Sequence, residues 1–554
     1  MRKKYPSELI PLFHDKGDSL NNLRLNSLVK GVGKSTDKNL TSYLNIKIPY
    51  NIGEIVNGYL KFGGSYRKKE RLQNYTVGRQ LMDRNTEGRQ MLIDSLNWIV
   101  IDGSNNDISA AGLATYPIDN FLDGKYDYGW YLNFDKLNNL TDMWENISNY
   151  YYSQGENVWQ PIFTEKSKIG FAQNIEASVM NDIDVAETYT AGYVMAEMNI
   201  GKWLMLLPGF RYEKTSADMN GFKATGPSET GPVQDPIPGN SSSAYRETDF
   251  LLPMLHARVK PLKWFYSHIA YTHTVSHPDL NSIAPNTYYY TGIPPFSYHA
   301  NNPDLEVELW KNLDLQFTIH GSKVGLISLS GFYKTVDNKI WQRSYQRIKG
   351  DPIIEPFPDA ALVNVSVWEN HPYKVYLKGV ELEAQTSFWY LPKPFKYFTF
   401  YGNYTFTDSE TSYPYTKIEN RVPPNGGRPV AVRIDSFVTG QMLYQPKHIA
   451  NFSLGFNRKG LNVWLSFQYN GTIFTGKNYQ VNELDPLKEY FYRWDLQITQ
   501  QLSEKFKGFE LIANFANLSN FTEVARLRGD LRPTSQESYG WTLDLGLRYK
   551  FDRE

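Results

Sequence analysis

Positions 541–551 read WTLDLGLRYKF, and this stretch decides the fold class. Every second residue is apolar, with an aromatic ring at both ends: Trp541, Leu543, Leu545, Leu547, Tyr549 and Phe551. A period of two is typical of a β-strand with one apolar face. A strand in a soluble sandwich has about five or six residues, whereas a tilted membrane strand needs about nine to eleven. The length of this alternation therefore favours a membrane strand.

The same alternation recurs along the chain and gives fifteen candidate strands. They are predicted at 38–49, 56–70, 184–199, 202–215, 246–260, 263–275, 307–321, 324–337, 375–389, 395–408, 446–457, 460–474, 488–501, 507–518 and 538–551. The connections between them alternate between short turns, such as 321–323, and long polar stretches, such as 71–183. This pattern is typical of barrels with short periplasmic turns and long outer loops. The sequence predicts an all-β fold, a transmembrane antiparallel up-and-down β-barrel with long extracellular loops.

The composition excludes several classes of function. The 58 Lys and Arg residues balance 58 Asp and Glu residues, so no net field attracts nucleic acid, and we expect no nucleic-acid partner. The chain has no cysteine, which excludes disulfides, thiolate metal sites and cysteine catalysis. No apolar run approaches the roughly 20 residues of a membrane helix.

Three short motifs could carry other chemistry, and each has a simpler interpretation. Residues 31–36 (GVGKST) resemble the end of a phosphate-binding loop, but Leu28 stands where its first glycine belongs, so a hairpin turn is predicted. Residues 102–107 are rich in oxygen atoms but lack the glycine and glutamate of an EF-hand, which favours a solvated loop. Glu381 and Glu383 lie on the same strand face, and we expect them to line a water-filled lumen rather than to act as a catalytic acid and base. We therefore predict no catalytic residue, no metal ligand and no cofactor, and the chain is predicted not to be an enzyme.

Aromatic residues are concentrated in the long connections. The stretch 71–183 contains Trp98, Tyr126, Tyr128, Trp130, Tyr131, Trp144, Tyr150, Tyr151, Tyr152 and Trp159. The stretch 276–306 contains Tyr288, Tyr289, Tyr290, Phe296 and Tyr298, together with five prolines. Such rings can stack on a ligand or pack the loops against each other, and the sequence leaves both open. We take the five rings of 276–306 as candidate ligand-binding residues.

Several sequence strings resemble the barrel of a TonB-dependent outer-membrane receptor. Residues 277–280 (HPDL) and 302–308 (NPDLEVE) resemble a stretch that this family carries in mid-barrel. Residues 378–383 (KGVELE) resemble its "KG-apolar-E" strand, and residues 517–520 (NLSN) resemble its "NL-x-N" turn. Residues 540–551 are similar to the C-terminal insertion signal of outer-membrane barrels, here carried by Trp541, Leu543, Leu545, Leu547, Tyr549 and Phe551.

The resemblance implies a 22-stranded barrel in the cell outer membrane, plugged by an N-terminal domain that contacts TonB. Because about fifteen strands are visible, we expect residues 1–37 to be a partial strand or loop region. Residues 38–551 would then be the C-terminal part of the barrel and 552–554 a short tail, with the plug and the first strands absent.

The function that the resemblance implies is transport. The extracellular loops would bind a scarce nutrient of the siderophore-iron, corrinoid or glycan class. The implied partners are outer-membrane lipid, the small nutrient ligand, a surface lipoprotein, and the TonB complex only through a plug not present in this chain. The alternative is a passive porin-like barrel without an energised step.

Overall fold

The computed structural model describes residues 27–81, 109, 113–117, 130–155, 171–225, 229–230, 240–291, 294–347, 352–359, 361–422, 424, 426–478, 481–502, 506 and 508–551. Fifteen strands form the antiparallel meander of the main sheet, which has 22 strands within the described residues. They are β1 (Ser27–Ile52), β2 (Val56–Leu81), β3 (Ile183–Ile200), β4 (Leu204–Thr225), β5 (Asn240–Leu262), β6 (Phe265–Ser276), β7 (Glu308–Gly321), β8 (Gly325–Asp337), β9 (Val375–Ser387), β10 (Phe398–Arg421), β11 (His448–Arg458), β12 (Leu461–Asn470), β13 (Phe491–Gln501), β14 (Phe509–Ala516) and β15 (Thr542–Tyr549).

Each of these strands pairs antiparallel with the next one along the chain, from β1 to β15. The sheet is therefore a single up-and-down meander, which confirms the predicted fold class. Every predicted strand range overlaps one observed strand. Residues 31–36 lie inside β1, so the hairpin turn predicted for them is wrong: they pair with 72–77 of β2 in an unbroken ladder.

The connections alternate strictly in length. Those at one end of the sheet have two to ten residues, and those at the other end have fourteen or more. Two of them have only two residues, and in one of these, Lys459–Gly460, both residues have positive φ, 50° and 78°. A two-residue turn of this kind matches the twist of the strands that it joins, and glycine favours it because no Cβ opposes a positive φ.

The long connections carry further elements. The helices are α1 (Phe134–Ser153), α2 (Ile175–Val179) and α3 (Leu280–Ile283), and a 3-10 turn spans Asn482–Leu484; a second 3-10 turn, Phe395–Tyr397, lies in a short connection. Short strands span Ala114–Pro117, Trp130–Leu132, Ala172–Asn174, Glu229–Thr230, Thr287–Tyr290, Phe296–Ala300, Ile340–Arg347, Val363–Asn370, Val430–Gly440, Ile473–Phe474, Pro486–Lys488, Thr522–Leu527 and Pro533–Ser538. No helix in the described part of the chain is long and apolar enough to cross a membrane.

The two faces of the sheet differ in chemistry. One, the apolar face, exposes rows of large hydrophobic side chains, such as Leu315 on β7 and Leu329 on β8. The last strand continues it, with Leu545 77% exposed. The other, the polar face, carries Glu381 and Glu383 of β9, which pair with serines of β8 and with Thr405 and Asn403 of β10. An exposed apolar band opposite a polar ladder is typical of a barrel that faces lipid outside and water inside.

Candidate ligand-binding surface

Strands of two long connections and the end of β4 are joined into one layer, which we call the loop sheet. Thr287–Tyr290 pairs antiparallel with Phe296–Ala300 and parallel with the end of β4. Phe296–Ala300 pairs parallel with Val363–Asn370, which pairs antiparallel with Ile340–Arg347. The connection after β6 is therefore held on both sides by backbone hydrogen bonds, and its aromatic residues are fixed in position.

The HPDL and NPDL strings have a structural role beneath this layer. Asp279 accepts a hydrogen bond from the backbone N–H of Asn281 at 2.9 Å and so caps α3. Leu280 and Leu305 are buried together in a hydrophobic cluster that also contains residues of β3 and β4. Asn302 donates to the carbonyl oxygen of Trp368 at 3.1 Å. These strings fix the base of the loop sheet on the main sheet.

Tyr288 is enclosed by protein. Its exposure is 0%, and it packs with Ile175, Val179 and Ala224. A ring with no accessible surface cannot touch a ligand in this arrangement. Tyr288 therefore supports the loop sheet from below, while its neighbours Tyr289 and Tyr290 are only partly buried.

Three of the predicted rings meet around Phe357, which is buried. The ring centroids of Tyr289 and Phe296 lie 6.2 and 5.5 Å from that of Phe357, and Tyr289 and Tyr298 are 5.2 Å apart. Burial raises the pKa of Tyr298 to about 12, so its hydroxyl stays protonated and can donate a hydrogen bond at neutral pH. Tyr289, Phe296 and Tyr298 are brought together as a partly buried aromatic patch.

Arg347 holds the segment that carries Phe357. Its side chain is 1% exposed. It donates to the carbonyl oxygen of Pro352 at 2.7 Å and to those of Pro358, Asp359 and Ala361 at 3.3 Å each. A guanidinium presents five donors in a fixed fork, so one side chain can bind several carbonyl groups of a turn. No periodic pattern in the sequence indicates this role of Arg347.

The aromatic residues of 71–183 have mixed positions. Trp144 of α1 is fully buried with Leu28 of β1, whereas Tyr150 on the same helix is exposed. Lys30 of β1 forms ion pairs with Glu145 and with Asp142 of α1, the latter at 3.5 Å. The described residues do not include the oxygen-rich stretch 102–107 or four of these aromatic residues, Trp98, Tyr126, Tyr128 and Trp159.

The polar face carries a network that sequence reasoning missed. Tyr189 of β3 donates to the carboxylate of Glu213 at 2.6 Å, and Arg211 forms an ion pair with the same carboxylate and donates to the Tyr189 hydroxyl at 2.6 Å. Arg67 of β2 pairs with Glu187 at 3.1 Å. The only signal in the sequence is that Arg211 and Glu213 stand two apart, which puts both on one strand face.

Histidines do not form a metal site in the described residues, where no group of three or more His, Asp or Glu side chains could hold an ion. His256 and His268 lie on neighbouring strands of the polar face, with ring nitrogens 3.3 Å apart. His273 instead contacts the hydroxyl of Tyr271 at 2.7 Å. His268 and His273 stand five residues apart on β6 and therefore point to opposite faces of the sheet.

Comparisons with known proteins identify the fold. A family model described as TonB dependent receptor-like, beta-barrel matches residues 11–518. No curated protein matches the sequence. The ferric-catecholate import receptor Fiu from E. coli K12 is similar in structure, with a TM-score of 0.52, 11% identity, and coverage of 94% of this chain and 55% of that one. The siderophore receptor PiuA from Acinetobacter baumannii has a TM-score of 0.50, 14% identity, and coverage of 94% and 56%. The chain thus spans a little over half the length of these two structures.

Proposed function

Because this chain belongs to the family of TonB-dependent receptor-like β-barrels, we propose that it is part of an outer-membrane receptor that captures a scarce small nutrient for import. Members of this family are receptors and transporters rather than enzymes. The observation that carries the proposal is the family match over residues 11–518, which covers fourteen of the fifteen strands of the meander. In this setting the apolar face contacts lipid, the polar face lines the lumen, and the long connections lie outside the cell.

The nutrient belongs to one of three classes: iron-siderophore complexes, corrinoids or glycans. The similar structures support the first class, because one is named as a ferric-catecholate import receptor and the other as a siderophore receptor. The charge of the long connections can distinguish between these nutrient classes, because ferric catecholates are anionic whereas most glycans are neutral.

We place one part of the nutrient site on the loop sheet. Tyr289, Tyr290, Phe296 and Tyr298 are partly buried rings on a backbone that is hydrogen-bonded on both sides. A ring that is already fixed loses little conformational entropy when a ligand binds. Tyr288 acts as their support, because it has no exposed surface of its own.

The remaining assignments follow from the same premise. Residues 38–551 are assigned to the barrel, with β1 beginning earlier, at Ser27. The alternating residues of 541–551 act as the insertion signal. The partners are outer-membrane lipid around the apolar face, the TonB complex acting on the receptor's plug, and a surface lipoprotein that delivers the nutrient.

Uptake by whole cells tests this proposal. A strain that lacks the gene is compared with the same strain carrying the full gene, with labelled ferric siderophores, corrinoids and oligosaccharides supplied at limiting concentration. We expect gene-dependent uptake of one class, abolished by a protonophore. Gene-dependent uptake that survives the protonophore would support the passive porin-like alternative, and equal uptake by both strains would refute a transport role.

A further inference from the structure

A second layer of loop strands lies far along the chain from the loop sheet. Ile473–Phe474, Pro486–Lys488, Thr522–Leu527 and Pro533–Ser538 pair antiparallel in that order. Residues that pair directly share a face of a sheet. One face therefore carries Ile473, Lys488, Glu523, Ala525, Ser535 and Glu537, and all six line a cavity of about 460 Å³. A volume of this size lies within the range of small-molecule sites, roughly 300–1,000 Å³.

The ends of the barrel strands and two tyrosines also line the cavity. Ile449 of β11 and Asn470 of β12 contribute an apolar surface and an amide. Tyr444 and Tyr490 add two rings, and both are exposed. The cavity thus combines aromatic surfaces with polar groups of both kinds, donors and acceptors.

Tyr444 is held in an unfavourable backbone conformation. Its φ is 60°, in the left-handed region that bulky side chains rarely adopt, and its side chain is 69% exposed. Its N–H donates to the carbonyl oxygen of Phe474 at 2.8 Å. The next residue, Gln445, is buried and accepts a hydrogen bond from Ser409 at 2.6 Å. These contacts fix the ring at the cavity although the ring itself gains little burial.

The charges of the cavity disfavour an anionic ligand. Glu489 is neutralised by an ion pair with Arg526 at 2.5 Å, and Glu537 accepts a hydrogen bond from the Tyr539 hydroxyl at 2.6 Å. Within the described part of the chain, Glu523 and Lys488 form neither an ion pair nor a hydrogen bond with another side chain. Lys488 carries one positive charge, whereas Glu523 and Glu537, which pair directly, carry two negative charges. The charge that no ion pair neutralises is therefore negative. An anionic iron chelate would be repelled here.

We propose that this cavity binds a neutral pyranose ring of a glycan. The C–H surface of the sugar packs on the rings of Tyr444 and Tyr490, which offer large contact area with few rotatable bonds. Sugar hydroxyls donate to the acceptor-only carboxylates of Glu523 and Glu537, and Lys488 donates to sugar oxygens. This inference rests on the proposed function and selects the glycan class among its three candidates.

Binding to native outer-membrane vesicles that contain the whole receptor tests the inference. The probes are fluorescent glucan, mannan, xylan and galactan fragments, soluble lipopolysaccharide core, and a ferric catecholate. The key variant is Tyr444→Gly, which removes the ring and relieves the positive φ, so that the loop has no reason to unfold. Tyr150→Ala is the control, because Tyr150 is an equally exposed tyrosine on α1. The fold of each variant is checked by the migration of the unheated barrel in electrophoresis.

We expect wild-type vesicles to retain at least one neutral fragment, Tyr444→Gly to bind it about tenfold or more weakly, and Tyr150→Ala to bind it normally. Retention of the lipopolysaccharide core alone, a glycan that carries carboxylate and phosphate groups, would contradict a neutral ligand and overturn the inference. The inference is overturned if no glycan is retained above receptor-deficient vesicles, if Tyr444→Gly binds as wild type does, or if the ferric catecholate is the probe that depends on Tyr444. Because this assay measures binding only, its failure leaves gene-dependent uptake unaffected, whereas equal uptake with and without the gene refutes the proposed function itself.

Discussion

Replacing Leu545 with arginine should destabilise the barrel in lipid, and the size of the effect follows from the geometry of the last strand. From position 541 to 551 there are ten steps of about 3.4 Å, or about 34 Å of strand. At a tilt of about 40° this spans about 26 Å, which matches the apolar band of about 25 Å of outer-membrane barrels. Leu545 lies one residue from the centre and is 77% exposed, so the new charge would lie largely outside the protein.

Leu545→Arg is therefore expected to cost about 2–4 kcal/mol of unfolding free energy. Tyr549→Arg, near the interface, should cost about 0–1 kcal/mol by the same dependence on depth. Asp544→Arg is the matched control, because its neighbour on the polar face is Asn514 of β14 and the lumen is wet. Urea titration of the receptor in lipid vesicles gives the three values. Equal costs for Leu545→Arg and Asp544→Arg would refute the assignment of the two faces.

Three further predictions concern the loops. Replacing Tyr289, Tyr290 and Tyr298 together with alanine should weaken nutrient binding by about 1 kcal/mol or more for each ring that is a binding hot spot, and should leave the heat resistance of the barrel intact. Unchanged affinity would show that the nutrient binds elsewhere. Arg347→Met should lower the free energy of local unfolding of the segment that follows it by about 3 kcal/mol, because buried carbonyl groups lose their donor. Amide hydrogen exchange in that segment should become faster, and unchanged exchange would contradict the role of Arg347. His371 is buried, and burial lowers its pKa below 6.5. As the pH falls below about 6.5, the unfolded form therefore binds more protons than the folded form, and the stability of the folded loops decreases. His371→Phe should reduce that acid sensitivity of the loops, measured by proteolysis between pH 8 and 5, and an identical pH profile in both proteins would exclude the histidine as its source.

The strands were predictable because a membrane barrel separates two solvents along its whole length. Each residue of β7 or β15 faces either lipid or water, so the alternation is complete and visible in one sequence. The first part of β1, residues 27–37, was predicted only as a partial strand or loop region, because the alternation of apolar and polar residues fades there. The motif at 31–36 was misread as a turn for the same reason.

The loop layers could not be predicted from local pattern. Tyr298 pairs with Val365, and the two residues are far apart in the chain and lie on strands of five and eight residues. Such short strands carry too little periodicity to show which segments meet. The burial of Tyr288 and the exposure of Tyr444 both depend on these distant pairings. Composition could indicate aromatic loops but not which rings remain accessible.

Cysteine labelling on intact cells tests the central claim most directly, since the chain contains no native cysteine to interfere. Single cysteines replace Tyr150 and Tyr539 in long connections, and Ile55 and Lys459 in short turns, in the full receptor. A maleimide that cannot cross the membrane should label the first two on intact cells and the last two only after the outer membrane is opened. Labelling of Ile55→Cys and Lys459→Cys on intact cells, with Tyr150→Cys and Tyr539→Cys protected, would contradict an outer-membrane barrel whose long loops face outward.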